Sequence, residues 1–459
     1  MTALCFGDDS PVELLHRRAA PGPRGVPSSG PDSKPSLPGP AVPSLALWLA
    51  LLATSGFAAS SPPATNAAPA SPWSTSVQLG ARESFDSNVF LQSTTPLANR
   101  ESFVTTVLPR LGACWKADGS TFSASYAPEI AFFHDEPSEN STTHRLQADA
   151  SIVGDGRLFE CNAAFTDIDG SSVGPTWSGP GGAPATGGPA VRDRRDAAIV
   201  RAGGRLRQDL ADAWFFRPGG TFYLHDFQTE HRASRGYQNY VDRSEFTVGT
   251  DIGRSVREDC RTWIGYRFGA QDESRLLNFR DECDNRLQRV LLGAEGTFAR
   301  NVKGCVAVGP DWRAYGDRVP AAFGNRHRTT LFLDASLTVT PSPSDTVTAS
   351  AREFEQPGFG GCAAYDDLTL DLTWRHRWAG PARWMVGAGV RAYHTDFLAP
   401  VVRNDWVCSA NGVLGRRLSS HLNAEASYAF EEGLTRDDRA SGREYRRHLV
   451  GLGVNYAFQ

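Results

Sequence analysis

From about residue 75 to the end of the chain, apolar and polar residues alternate one by one. The last stretch shows it most cleanly. Val450, Leu452, Val454, Tyr456 and Phe458 share one parity, and Gly451, Gly453, Asn455, Ala457 and Gln459 share the other. A β-strand sends successive side chains to opposite faces, so this segment predicts one apolar face and one small or polar face. The same period runs through Phe103 to Trp115, Phe122 to Phe132, Arg328 to Val339, Leu368 to Trp378 and Leu422 to Phe430. No helix tolerates two-residue alternation of this length. Arg205 to Trp214 alone also fits a short helix, and a strand end with a turn is the preferred assignment. Counting such segments predicts an all-β chain of about 18 strands.

The connections alternate in length. Short turns fall at Lys116–Gly119, Gly154–Gly156, Ala299–Asn301, Thr340–Asp345, Ala379–Ala382 and Leu418–Ser420. Long loops fall at Asp86–Glu101, Gly170–Asp193, Asp272–Glu282, Asp317–Arg326, Gln356–Ala364 and Glu431–Arg443. Transmembrane barrels have short turns at one rim and long loops at the other, and an even strand count returns the chain to the side where it began. Trp115, Trp214, Trp263, Trp378 and Trp384 lie beside short turns, where an interfacial aromatic belt is expected. The expected fold is a single transmembrane antiparallel up-and-down β-barrel over residues 75–459, with the apolar parity toward lipid.

The final strand, with an aromatic next to its last residue, resembles the closing strand of bacterial outer-membrane barrels. That resemblance implies Tyr456 and Phe458 as the signal read by the barrel-assembly machinery, with Gln459 as a one-residue departure. Gly80-Ala-Arg-Glu-Ser-Phe-Asp-Ser-Asn-Val-Phe-Leu91 is similar to the aromatic-Asp-x-Asn-aliphatic-Phe opening of the putative β-barrel porin type 2 family. The resemblance implies a porin-like barrel in the outer membrane of a Gram-negative bacterium, in contact with outer-membrane lipid. Some members of that family are linked with exopolysaccharide export. It implies no catalytic residue.

A chain of 459 residues would otherwise suggest two or three soluble domains, but one large barrel absorbs it. The net charge of −4 gives no reason to expect a nucleic-acid partner. Residues 1–43 are rich in Pro, Gly and Ser, and Leu45 to Ala53 is the most hydrophobic run. It is too short for a bilayer-spanning helix and precedes small residues, a signal-peptide pattern with cleavage near Ala58 or Ala59. Residues 1–58 are thus expected to be an N-terminal extension and signal peptide, with a start downstream of Met1 left open, and residues 59–74 a flexible periplasmic linker. None of the eight Cys forms a C-x-x-C pair; most read as small strand residues, with room for one disulfide.

The parity assigned to the lumen is strongly charged. Arg201, Arg205 and Arg207 on one strand are the first candidates for an anion-attracting, pore-lining stripe, followed by Arg375, Arg377 and Arg391. Carboxylates such as Glu129, Asp251, Glu295 and Asp371 are interleaved, so a cross-strand ion-pair lattice is the alternative role. Motifs for metal, phosphate or dinucleotide chemistry are lacking, and no enzyme activity, cofactor or metal is expected. Gly170-Ser-Ser-Val-Gly174 matches a nucleophile elbow only by letter. His225, His421 with Asn423, and His448 are hydrolase candidates by residue type alone. The Gly170–Asp193 loop is expected at the surface rather than in the pore. The expected function is a passive channel for small hydrophilic solutes or saccharides. The alternative is a structural or accessory barrel with a plugged lumen, associated with exopolysaccharide export.

Overall fold

The computed structural model describes residues 72–93, 96–174, 191–194, 196–228, 241–275, 283–357, 364–378, 383–399, 403–435 and 444–458. The expected N-terminal extension and signal peptide, nearly all of the expected linker, most of the Gly170–Asp193 loop and Gln459 lie outside the described residues.

The strands run in chain order as β1 (Trp73–Asp86), β2 (Ser102–Ala117), β3 (Ser120–Tyr126), β4 (Glu129–Phe133), β5 (Ser141–Gly154), β6 (Arg157–Gly174), β7 (Val191–Arg194), β8 (Ala197–Asp209), β9 (Trp214–Phe227) and β10 (Val241–Arg257). They continue as β11 (Cys260–Arg275), β12 (Asn285–Ala299), β13 (Val302–Tyr315), β14 (His327–Ser342), β15 (Asp345–Pro357), β16 (Ala364–Arg377), β17 (Trp384–Ala399), β18 (Arg403–Arg417), β19 (Leu422–Thr435) and β20 (Tyr445–Phe458). Each strand pairs antiparallel with its neighbours, and β1 pairs with β20 from Val77↔Phe458 to Asp86↔Leu449, closing the cylinder.

Two of these segments do not add to the wall count. β3 and β4 are halves of one wall strand, since both pair with β2 on one side and β5 on the other. The break falls at Ala127-Pro128, near Pro109 of β2, and neither proline can donate to the ladder. β7 pairs only with the end of β6 beyond the wall. The barrel therefore has 18 wall strands. Arg205 to Trp214 is a strand end followed by one 3₁₀ turn, Ala211–Ala213.

Lengths alternate as the sequence predicts. β10 and β11 are joined by two residues, as are β12 and β13, whereas β1 and β2 are separated by residues 87–101. Both ends of the barrel, Trp73 and Phe458, lie at the short-turn rim. Val450, Leu452, Val454, Tyr456 and Phe458 all face outward, with Leu452 66% exposed. Leu370, Leu372, Ile264 and Leu292 continue this apolar band on other strands. A band of exposed aliphatic side chains around a closed sheet is stable only against lipid. Trp73, Trp115, Trp214, Trp378 and Trp384 lie at its turn-side edge, and Phe103, Phe132 and Trp312 near the loop side.

Trp263 departs from the expected belt. On β11 the inward parity is Gly265, Arg267, Gly269 and Gln271, and Trp263 shares it. Its indole lies on Gly293 of β12, where a Cβ would come 2.1 Å from the ring. Arg217 and Arg267 stack on it at 5.3 and 5.9 Å from the ring centroid.

Candidate functional site

The lumen is lined by the polar parity of every wall strand, and its two ends differ. Near the turns, inward residues such as Arg110, Gln147, Lys303, Arg375, Asn411 and Glu425 are exposed to the interior. Near the loops, inward Asp86, Arg243, Gln271, Asp311, Asp367 and Tyr393 are almost fully buried. The cylinder is hollow on the turn side and filled on the loop side.

The filling is held by charge-assisted bonds. Arg289 Nη2 lies 2.9 Å from Asp311 Oδ2, and Arg313 donates to Asp311 and to Asn285 Oδ1. Tyr315 donates to Glu355 at 2.8 Å, and Tyr393 and Thr395 both donate to Asp367. Groups this buried persist only because each is paired.

Part of the filling comes from the loop after β1, the stretch that carries the Phe-Asp-x-Asn-Val-Phe motif. Asp86 accepts two bonds from Arg447 of β20, from Nε at 2.9 Å and Nη2 at 2.6 Å. Asn88 Nδ2 donates to the carbonyls of Gln92 and Arg446. Val89 and Phe90 pack against Val104, Ala131 and Phe133 on β2 and β4. Leu91, with φ at 56°, packs the other way against Tyr393, Val407 and Tyr445 on β17, β18 and β20. A second loop adds Val319 and Phe323, which pack on Tyr315, Cys283 and Ala364. Cys283 is disulfide-bonded, and its partner lies outside the described residues.

The predicted pore-lining arginines all face the lumen, but they do not form one free stripe. Arg205 Nε lies 2.6 Å from Glu160 Oε2, and Arg207 Nε 3.0 Å from Asp209 Oδ1. Arg201 stands over the Tyr223 ring at 5.8 Å. Arg391 Nε bonds Asp371 Oδ2 at 2.7 Å, while Arg375 and Arg377 stay exposed near the turn, with no ion pair among the described residues. A further wall cluster joins Arg217, Arg267, Asp251 and Glu295, which the sequence places in the lumen without pairing them. Arg217 bridges Asp251 and Glu295, and Arg267 Nη2 lies 2.6 Å from the other carboxylate oxygen of Asp251 as an ion pair. The cluster borders a cavity of about 540 Å³ along the inner wall. Parity places each of these residues inside, but which arginine meets which carboxylate depends on registers that the sequence does not display.

The histidines are held structurally. His225 Nδ1 meets Tyr223 Oη at 3.0 Å and its ring stacks on Phe227 at 4.1 Å. His421 sits at the turn rim beside the Ala457 carbonyl, and His448 pairs with Tyr428. The Gly170–Gly174 letter match lies in strand β6, not in a strand–turn–helix elbow. Among the described residues, no group of three His, Cys, Asp or Glu is placed to hold a metal.

Fold and lumen define a closed, even-stranded transmembrane β-barrel with a polar interior. No family model matches the chain, and no curated protein matches it. Solved structures do. The chain resembles Pseudomonas aeruginosa OccK2 (OpdF), solved in complex with glucuronate, at 10% identity and TM-score 0.40, over 84% of this chain and 98% of that one. It resembles Pseudomonas aeruginosa OccK3 (OpdO) at 12% identity and TM-score 0.39, over 84% and 95%. A bacterial polysaccharide outer-membrane secretin aligns at 10% identity and TM-score 0.32, over 83% and 98%.

Proposed function

We propose that the protein is an outer-membrane channel that passes small hydrophilic solutes passively. The observation that carries this is the combination of an uninterrupted apolar outer band with a charged, turn-side-open lumen in an 18-strand wall. A wall of this strand number encloses enough width for water, whereas about eight strands are filled by their own side chains. Outer-membrane lipid contacts the apolar band, and the barrel-assembly machinery reads Tyr456 and Phe458. Saccharides and other small polar solutes are the cargo class, and Arg201, Arg205, Arg207, Arg375, Arg377 and Arg391 set the ion preference. The narrower assignment, to the putative β-barrel porin type 2 family, rests on the Phe85 to Phe90 motif.

Conductance of the purified, folded protein in a planar bilayer tests the channel. Steps that scale with salt support it, and insertion without current at any salt concentration overturns it. Reversing the charge at Arg201, Arg205 and Arg207 together should shift the reversal potential away from anion preference. The filled loop-side end supports a second function, a plugged accessory barrel for exopolysaccharide export, which insertion without current would favour.

A further inference from the structure

Where the cylinder closes, the inner wall is recessed. β20, β1 and β2 meet there, and Gly80 and Gly453 occupy inward positions on neighbouring strands, paired with Asn455 and Arg82 respectively. The recess, of about 250 Å³, is bordered by Arg82, Arg110, Gln78, Asn423, Glu425 and Asn455. The registers put these groups side by side: Gln78 opposite Arg110, and Asn423 opposite Asn455. Arg110, Asn423, Glu425 and Asn455 are exposed to the lumen.

The recess brings to one cavity two arginines without a carboxylate partner among the described residues. Elsewhere most lumen arginines meet a carboxylate, as in the pairs of Arg205, Arg217, Arg267 and Arg391. Arg82 and Arg110 have no ion pair among the described residues, and Arg82 Nε is buried without a hydrogen-bond partner. A third arginine at the edge, Arg145, is already neutralised by Glu129 at 2.8 Å. Glu425 is the one further carboxylate at the recess. Two free guanidinium groups against one carboxylate leave a net charge of one positive unit, enough to balance one anion. Guanidinium forks bind a carboxylate in two parallel bonds, and amides both donate to and accept from hydroxyls.

We propose that this seam recess is a binding site for a small, hydroxyl-rich monoanion of the sugar-acid class. Its carboxylate lies between Arg82 and Arg110. Its hydroxyls reach Gln78, Asn423, Asn455 and Glu425. The site deepens the channel function and rests on the lumen being open to solute from the turn side. It does not require the loop side to be open, so binding and conduction fail separately.

Calorimetry on the folded full-length barrel in detergent tests the proposal, with heat-modifiable migration as the check on folding. D-gluconate should bind saturably at or below about 10 mM, and glucose and acetate should bind more weakly. Replacing Arg82 and Arg110 by Gln together should weaken gluconate by about tenfold or more, because a charge-assisted pair is lost. Replacing Lys303, an exposed lumen cation on β13 away from the seam, by Gln should leave gluconate binding unchanged. If R82Q/R110Q does not fold, N423A/N455A serves instead: it should weaken gluconate and leave acetate as it was. The site is overturned if gluconate shows no saturable heat, if glucose or acetate matches it, or if neither variant changes it. A barrel that binds gluconate but carries no current would overturn the channel and keep the recess.

Discussion

The Asp86–Arg447 pair shows how single residues hold the loop-side end. The carboxylate is 2% exposed and the guanidinium 12%, and the two join the first and last strands at the seam. Removing one partner of such a pair leaves an uncompensated buried charge, at a cost of about 3–5 kcal/mol. R447Q should therefore lower the urea midpoint of unfolding from lipid vesicles, with R447K intermediate because it keeps the charge but loses the fork. An unchanged midpoint for R447Q would show that the pair is not formed. Trp263 offers a second test. A Cβ at Gly293 would sit 2.1 Å from the indole, so G293A should cost about 1–3 kcal/mol by overpacking. The cost should largely disappear in a W263A background, because the two sites share one contact. Fully additive losses would place the indole elsewhere.

Among the elements, β20 carries the clearest contrast between its faces. Leu452 lies at mid-strand and is exposed to lipid. L452R should destabilise the folded barrel by about 2–4 kcal/mol at the bilayer midplane. Asn411, inward and exposed on β18, should accept Arg at little cost. Deleting residues 458–459 should abolish membrane assembly; normal assembly would move the recognition signal off the terminal aromatic. These contrasts were legible in the sequence because strand period is local: Leu452 and Gly453 declare their faces within a few residues. Strand number and the turn–loop alternation were legible for the same reason. Trp263 was misplaced although the signal was present, since it shares parity with Arg267 and Gln271 while Ile264, Tyr266 and Phe268 hold the outward positions. Nearness to a turn does not decide a face; parity does. Arg217–Glu295 and Asp86–Arg447 were not legible. Their partners are 78 and 361 residues apart: the curved run of strands from β9 to β12 brings the first pair together, and closure of β1 on β20 the second.

At the scale of the whole molecule, the barrel is an asymmetric vessel, and the loop after β1 is the part of the closure most open to test. Its residues 88–92 are buried although they belong to no strand, which is unusual for a connection at a barrel rim. They reach two parts of the wall: Val89 and Phe90 on β2 and β4, and Leu91 on β17, β18 and β20. A segment anchored on both sides of the seam covers the wall between them and narrows the loop-side mouth. Asn88 fixes its path through the Arg446 carbonyl, and Arg100 ties its return limb to Glu136 at 2.5 Å. Replacing residues 88–99 with a short Gly-Ser linker removes the apolar anchors and leaves every wall pairing intact, so the barrel should still insert. Single-channel conductance should then rise above that of the full chain, and the increase should persist at high salt because it reflects width rather than charge. R447Q, which frees the base of the same loop but leaves Leu91 in place, should give a smaller increase. Equal conductance in all three proteins would locate the constriction away from this loop, and the burial of Asn88 to Gln92 would then serve the stability of the seam alone.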